Sequence, residues 1–308
     1  MNERFEPSAA LSRCTGGWPQ GCRCALHSRR LFGAAMAGAG AMLAFPALPA
    51  WADGIELNER SAIGQLVSAE DIETAAAQQY QQLLQEARGQ GALASADHPQ
   101  VHRLRYIANR LIPHATSANL RGTPRAAQWN WEVNLIGSKQ INAFCMPGGK
   151  IAFFSGLLTQ LQLNDDEVAM VMGHEMTHAL REHSREQLGK TTATNGLIEL
   201  GAALFGLGNG GRYLASLGGQ LLGLRFSRDD ESEADRGGMD LAARAGYDPR
   251  AGLSLWNKME SANHGAPPQW LSSHPAGASR IAQIQQLVPM VDPVFARAPK
   301  PKERFDRG

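Results

Sequence analysis

Residues 171–180 read Val-Met-Gly-His-Glu-Met-Thr-His-Ala-Leu, and no other run restricts the chain as tightly. A helix turns 100° per residue, so His174 and His178, four apart, stand one above the other on a single face. Their ring nitrogens can then meet on one ion, and imidazole suits zinc. Glu175 is displaced round the helix, where it can reach an attacking water rather than the ion. That spacing points to metal-assisted hydrolysis with Glu175 as general base. A solvated helix carrying the same residues by chance would have polar flanks. Val168, Val171 and Met172 instead predict burial, and buried polar groups need partners. Such a helix requires a third ligand from elsewhere and room beside it for a substrate.

The third ligand is expected in Phe226-Ser227-Arg228-Asp229-Asp230-Glu231-Ser232-Glu233-Ala234-Asp235-Arg236. Glu231 and Asp235 lie four apart, so their carboxylates share one helical face. A His174, His178, Glu231 set leaves one position of a tetrahedral zinc open, as catalysis requires. Asp235, one turn on, is placed to accept the second N–H of a ligand histidine. Glu233 points elsewhere on the helix and is the second choice as ligand. A merely solvated acidic helix start would account for Asp229 and Asp230. It would not account for Ala234, Met239, Leu241 and Ala242, which predict that the same element is buried.

The remaining pattern predicts an α+β chain, mainly helical, with one small sheet. Ser68 caps a helix running to about Arg88, and Asp97 with Pro99 opens a second that Pro113 ends. His98, His102 and His114 in this region read as surface residues. Trp129 to Ile136 alternates apolar with polar, as a strand does. Ile141–Met146 and Lys150–Phe154 flank Pro147-Gly148-Gly149, which suggests a hairpin. Asn164 and Glu167 form a capping box for the His174 helix. Gly246 ends the Glu231 helix, and Leu253, Trp256 and Met259 form an apolar stripe on the next. The Gly-rich, almost uncharged residues 195–224 suggest two short helices with a flexible connection, packing near the cleft or forming a lid. Their glycines argue against an uninterrupted membrane span, and peripheral membrane contact stays open. A last helix is expected over 275–287, and the Pro-rich, charged residues 289–308 as a disordered tail.

The N-terminus reads as an export signal. Arg29-Arg30 precedes the apolar, Gly/Ala-rich residues 33–49, and Ala50-Trp51-Ala52 is an A-x-A cleavage site. The paired Arg suggests the twin-arginine route, and the expected home is a bacterial periplasm. Residues 1–52 are therefore set apart as a twin-arginine-type signal peptide, 53–288 as the catalytic domain. The formal charge of +1 on 308 residues gives no case for nucleic acid, and removing residues 1–52 leaves 25 Lys/Arg against 27 Asp/Glu. Three of the four cysteines (14, 22 and 24) also lie in that leader, so a processed chain keeps Cys145 alone and has no intrachain disulfide.

With these motifs assembled, the chain resembles the zinc metallopeptidase family that includes the CAAX prenyl proteases, HtpX and periplasmic bacterial peptidases. The resemblance covers about residues 70–288. It is carried by Asn142-Ala143-Phe144 with Pro147-Gly148-Gly149, by His174-Glu175-Met176-Thr177-His178, by Glu231 to Asp235, and by His274-Pro275 with Arg280-Ile281. It implies a zincin-type fold with an active-site helix, one Zn2+ held by His174, His178 and Glu231, and endopeptidase activity with Glu175 as base and then acid. It also implies that Asn142, Ala143 and Phe144 form an edge strand that pairs with an extended substrate. His274 and Arg280 match residues near the cleft, where either could stabilise an oxyanion; His274 could instead fill the open zinc position at rest. Polypeptides in need of quality control are the implied substrates. The competing expectation is a chaperone or assembly factor for outer-membrane proteins, with its protease latent.

Overall fold

Where apolar residues recur every three or four positions the chain forms helices, and where they alternate it forms strands. The structure, a computed structural model, describes residues 54–194, 221, 223–262, 268–274 and 278–305. The expected leader (1–52) and most of the Gly-rich stretch (195–220 and 222) lie outside the described residues. Nine α-helices and a three-stranded sheet are present among the described residues. None of these helices is long and apolar enough to cross a membrane.

Helix α1 (Ala69–Gly89) starts where the Ser68 side chain accepts the Asp71 N–H. Its Ala76, Tyr80, Leu84 and Ala87 cover one face of the sheet, against Ile136, Met146, Ala152 and Phe154. Helix α2 (Pro99–Leu111) carries Val101, Leu104, Ile107 and Leu111 into the main core. Its cap is His98, whose Nδ1 accepts the Gln100 N–H, and not the expected Asp97. Pro99 occupies the first helical position, where a missing N–H costs nothing.

The sheet comprises β1 (Glu132–Ile136), β2 (Ala143–Met146) and β3 (Lys150–Phe154), in the order β1-β3-β2. The central β3 runs parallel to β1 and antiparallel to β2, with Phe144 opposite Ala152. Gly148 and Gly149 both adopt positive φ in the hairpin turn, and a Cβ on Gly149 would stand 2.8 Å from the Trp131 ring. Strand β2 is an edge. The Phe154 N–H donates to the Asn142 carbonyl at 3.1 Å. Hydrogen-bonded pairs alternate along an antiparallel ladder, so Phe144 also faces β3 with its main chain. The main-chain groups of Ala143 and Cys145 therefore point away from β3, to an edge that pairs with no other strand among the described residues, and the Ala143 N–H donates to Asn142 Oδ1 at 3.0 Å.

After α3 (Ser155–Gln160), the capping box of Asn164 and Glu167 starts α4 (Asp165–Leu180), and α5 (His183–Thr194) follows. A second capping box, Ser227 with Asp230, opens α6 (Arg228–Arg244). Helices α4 and α6 cross backbone to backbone. A Cβ on Gly173 would lie 2.9 Å from the Gly238 carbonyl oxygen, and one on Gly238 only 2.7 Å from the His174 nitrogen. This contact lies beside the first histidine of the motif, so it sets how closely the α6 carboxylates approach. Gly238→Val forces side-chain atoms into that crossing. We expect destabilisation of about 1–3 kcal/mol, measured as a fall of several degrees in Tm; an unchanged Tm would show that the helices can part freely.

Helices α7 (Ala251–Ser261), α8 (Gln269–Ser273) and α9 (Ala278–Arg297) complete the order. The expected stop near residue 287 and disordered tail from 289 are overturned. Helix α9 runs through Pro289 and Pro293, burying Ile284, Val291 and Val294. Residues 298–305 then dock on α2. The Tyr106 hydroxyl accepts the Lys302 and Glu303 N–H groups, and the Phe305 ring packs on His102 and Tyr106. Arg304 pairs with Asp166 at the start of α4, and the Phe305 N–H donates to Asp165 at 2.7 Å. Proline and charge content alone reads as disorder, but here the charges meet acids already fixed at a helix N-terminus.

Candidate metal centre and active site

Helix α4 is enclosed almost completely, and His174, Glu175 and His178 are each no more than 3% exposed. Glu231, from the first turn of α6, and His274, just after α8, face them. The four residues His174, His178, Glu231 and His274 are all buried, with one ligand atom from each lying within 4.8 Å of the others. The two histidine Nε2 atoms are 3.1 Å apart. The Glu231 oxygens lie 3.5 Å from His174 Nε2 and 3.4 Å from His178 Nε2. Ligands bound at about 2.0–2.2 Å round a tetrahedral ion stand roughly 3.3–3.6 Å apart. The donor set fits zinc in chemistry, the two Glu231 distances fall in that range, and the histidine pair stands slightly closer.

Each ligand is held from behind. His174 Nδ1 donates to Asp235 Oδ1 at 3.0 Å, which leaves Nε2 free to face the other ligands. Arg280 donates to both Asp235 oxygens (2.8 and 2.7 Å) and to Glu231 Oε2 (2.6 Å). Burial alone would pull the His174 pKa down, but hydrogen bonds to Asp235 and Glu231 outweigh it and raise it to about 9. Burial pushes Glu231 up, yet the neighbouring His274, His174 and His178 bring its carboxyl well below the usual carboxylate range. Asp235 is likewise lowered, burial being outweighed chiefly by the Arg280 charge.

Glu175 points to the cleft. Its Oε1 accepts the Trp270 indole N–H at 2.6 Å and lies 3.5 Å from His274 Nε2. Asn142 to Pro147 line that cleft together with Glu175, His178, His274 and Phe226. The free edge of β2 therefore runs beside the catalytic groups.

The family model described as peptidase family M48 matches residues 99–288, from the start of α2 into α9. The chain belongs to peptidase family M48. M48 metalloproteases are zinc-dependent, in keeping with the donor set. Among M48 relatives, the chain is 34% identical over 197 residues to the mitochondrial metalloendopeptidase OMA1 of Bos taurus, covering 60% of this chain and 38% of that protein. It is 30% identical over 206 residues to the metalloprotease LoiP of Escherichia coli, covering 66% of this chain and 77% of LoiP. A beta-barrel assembly-enhancing protease of Escherichia coli is 31% identical over 199 residues, covering 60% and 39% of the two chains. The chain spans about a third to a half of the length of the mitochondrial relatives it matches.

The geometry sorts the expected M48 site residues. The structure brings His174, His178 and Glu231 together with His274, sets Glu175 3.5 Å from His274 Nε2, and places Asp235 behind His174. Glu233 is not a ligand candidate: it turns toward Arg181 and His183. Arg280, one of the two residues expected near the cleft, is turned toward carboxylates. It is only 5% exposed, held by Asp235 and Glu231, with its guanidinium 3.8 Å from the centre of the Trp256 ring. His274 stands at the fourth corner, with Nδ1 2.9 Å from Glu231 Oε1. Of the expected strand residues, Ala143 turns its carbonyl away from β3 while its N–H donates to Asn142 Oδ1 at 3.0 Å, and the Phe144 ring packs against Tyr80 and Phe154. Cys145, not singled out in the sequence as a strand-edge residue, turns both of its main-chain groups away from β3, with no main-chain partner among the described residues.

Three further contacts escaped sequence reasoning: Trp270 on Glu175, Phe226 stacked on His178 (centroids 4.0 Å apart), and His183 behind His178. Two had a signal. Trp270 lies four residues before His274, one helical turn away, and His183 is a third histidine five residues beyond His178.

Proposed function

We propose that this chain is a zinc-dependent endopeptidase that cleaves extended, unfolded segments of polypeptide. The observation that carries this reading is the buried convergence of His174, His178 and Glu231, with Glu175 beside it and a free strand edge alongside. When bound, zinc supplies Lewis acidity that polarises the scissile carbonyl and acidifies the attacking water. Glu175 accepts the proton of that water and returns it to the leaving amine. The Trp270 N–H fixes one carboxylate oxygen, so the proton passes through the other. The Ala143 carbonyl and the Cys145 main chain pair with substrate main chain, which selects extended conformation more than sequence. That preference suits unfolded or misassembled proteins.

The test is cleavage of casein by the purified protein. Activity is expected to vanish with a zinc chelator and return with added zinc, and mass spectrometry should find internal cuts. Products trimmed only from chain ends would overturn the endopeptidase reading.

We further propose a bacterial envelope location reached by the twin-arginine route, on the strength of Arg29-Arg30 and Ala50-Trp51-Ala52. Kinship alone does not choose a compartment, since both Escherichia coli and mitochondrial relatives match. A latent protease acting as a chaperone in outer-membrane assembly is the second reading. It is favoured by His274 and Trp270, which stand directly over the ligands and the base.

A further inference from the structure

The first motif histidine is backed by Asp235 and Arg280, whereas the second has no carboxylate against its outer nitrogen. Instead, His178 Nδ1 lies 2.9 Å from His183 Nδ1, and His183 Nε2 lies 2.9 Å from Glu233 Oε2. Glu233 is gripped by Arg181 through Nε at 3.0 Å and Nη2 at 2.9 Å. Arg181 is anchored in turn to the Leu120 and Arg121 carbonyls at 3.1 and 2.9 Å. His183 is 1% exposed and Arg181 4%, so geometry rather than solvent fixes the contacts.

Hydrogen-bond polarity runs in one direction along this row. Arg181 can only donate, so the Glu233 carboxylate accepts, and it can only accept from His183 Nε2 as well. A neutral His183 with its proton on Nε2 has a lone pair on Nδ1. His178 must then donate from Nδ1, which places its own lone pair on Nε2, the atom that faces His174 and Glu231. The opposite polarity would put the His178 proton on Nε2 and leave nothing there to bind an ion. We propose that His183, held by Glu233 and Arg181, is the positioning residue that fixes the zinc-binding tautomer of His178. The row also explains why Glu233, two residues beyond Glu231, is not a ligand: it sets the orientation of one from behind. The phenyl ring of Phe226 also stacks on His178, with centroids 4.0 Å apart.

This inference rests on His178 being a zinc ligand, as the proposed function holds. The test is the zinc dissociation constant of the full chain, measured by competition with a chromophoric chelator. His183→Leu fills the space without an acceptor and is expected to weaken zinc binding by about 10–100-fold. His183→Asn places an amide oxygen near the position of Nδ1 and is expected to recover most of that loss, a rescue that a space-filling role would not produce. Glu233→Leu, which removes the acceptor for His183 Nε2, is expected to weaken binding as His183→Leu does. Wild-type affinity in a folded His183→Leu protein, or no recovery in His183→Asn, overturns the proposal. If His183→Leu does not fold, wild-type affinity in Glu233→Leu overturns it and weakened affinity supports it. A wild-type chain that binds no zinc would sink the site reading itself, and this inference with it.

Discussion

Glu175→Gln is expected to retain a full complement of zinc and to lose about 10²–10⁴-fold in the rate of casein cleavage, the usual contribution of a positioned general base. The structure makes this substitution unusually clean. Glu175 is not among the four residues whose ligand atoms converge, so the metal site keeps its donors. The amide oxygen of glutamine can still accept the Trp270 indole N–H that now reaches Oε1 at 2.6 Å. What is lost is the second oxygen as a proton acceptor. Kinetics and elemental analysis on the same preparation decide the matter. Undiminished turnover would remove Glu175 from the chemistry, whereas loss of zinc along with activity would make it structural. The same variant also separates the two functional readings in cells. If it complements a deletion strain as fully as the unaltered protein, proteolysis is not the principal task, and the closed arrangement of His274 and Trp270 is the resting form of an assembly factor.

Local signals in the sequence were strong wherever a short-range rule applies. The capping boxes, the apolar spacing of α2 and the Pro147-Gly148-Gly149 turn all depend on neighbours within a few residues. The His174–His178 pair and the Glu231–Asp235 pair are likewise consequences of a single helical turn. What could not be read locally was how separate elements meet. Arg280 looked available for catalysis because sequence spacing says nothing about Asp235 and Glu231 standing on either side of its guanidinium. Glu233 remained an alternative ligand because only the crossing of α4 and α6 at Gly173 and Gly238 decides which carboxylate reaches His178. The tail beyond Pro289 was misread for the same reason. Its composition favours solvation, but Arg304 and Phe305 find Asp165, Asp166 and Tyr106, partners some 140 to 200 positions away in the chain.

Glu231→Ala carries the second large effect, because one carboxylate reaches both motif histidines. Its oxygens lie 3.5 and 3.4 Å from the two Nε2 atoms, and no other carboxylate joins that group among the described residues. Sharing the roughly 10–16 kcal/mol of a structural zinc site among four ligands assigns about 2.5–4 kcal/mol to each. Loss of one should therefore weaken zinc binding by about 10²–10³-fold, more than the change expected from any residue that acts behind a ligand. The fold should persist, since Arg280 keeps both of its bonds to Asp235 when its Glu231 partner is removed. Far-UV circular dichroism checks that point, and zinc per chain after dialysis checks the ligand. Retention of zinc at wild-type affinity would shift the third ligand to His274, which already stands 3.4 Å from His174 Nε2. In that case His274→Ala should lose the metal instead, and the position held open for catalysis would be the one Glu231 now faces.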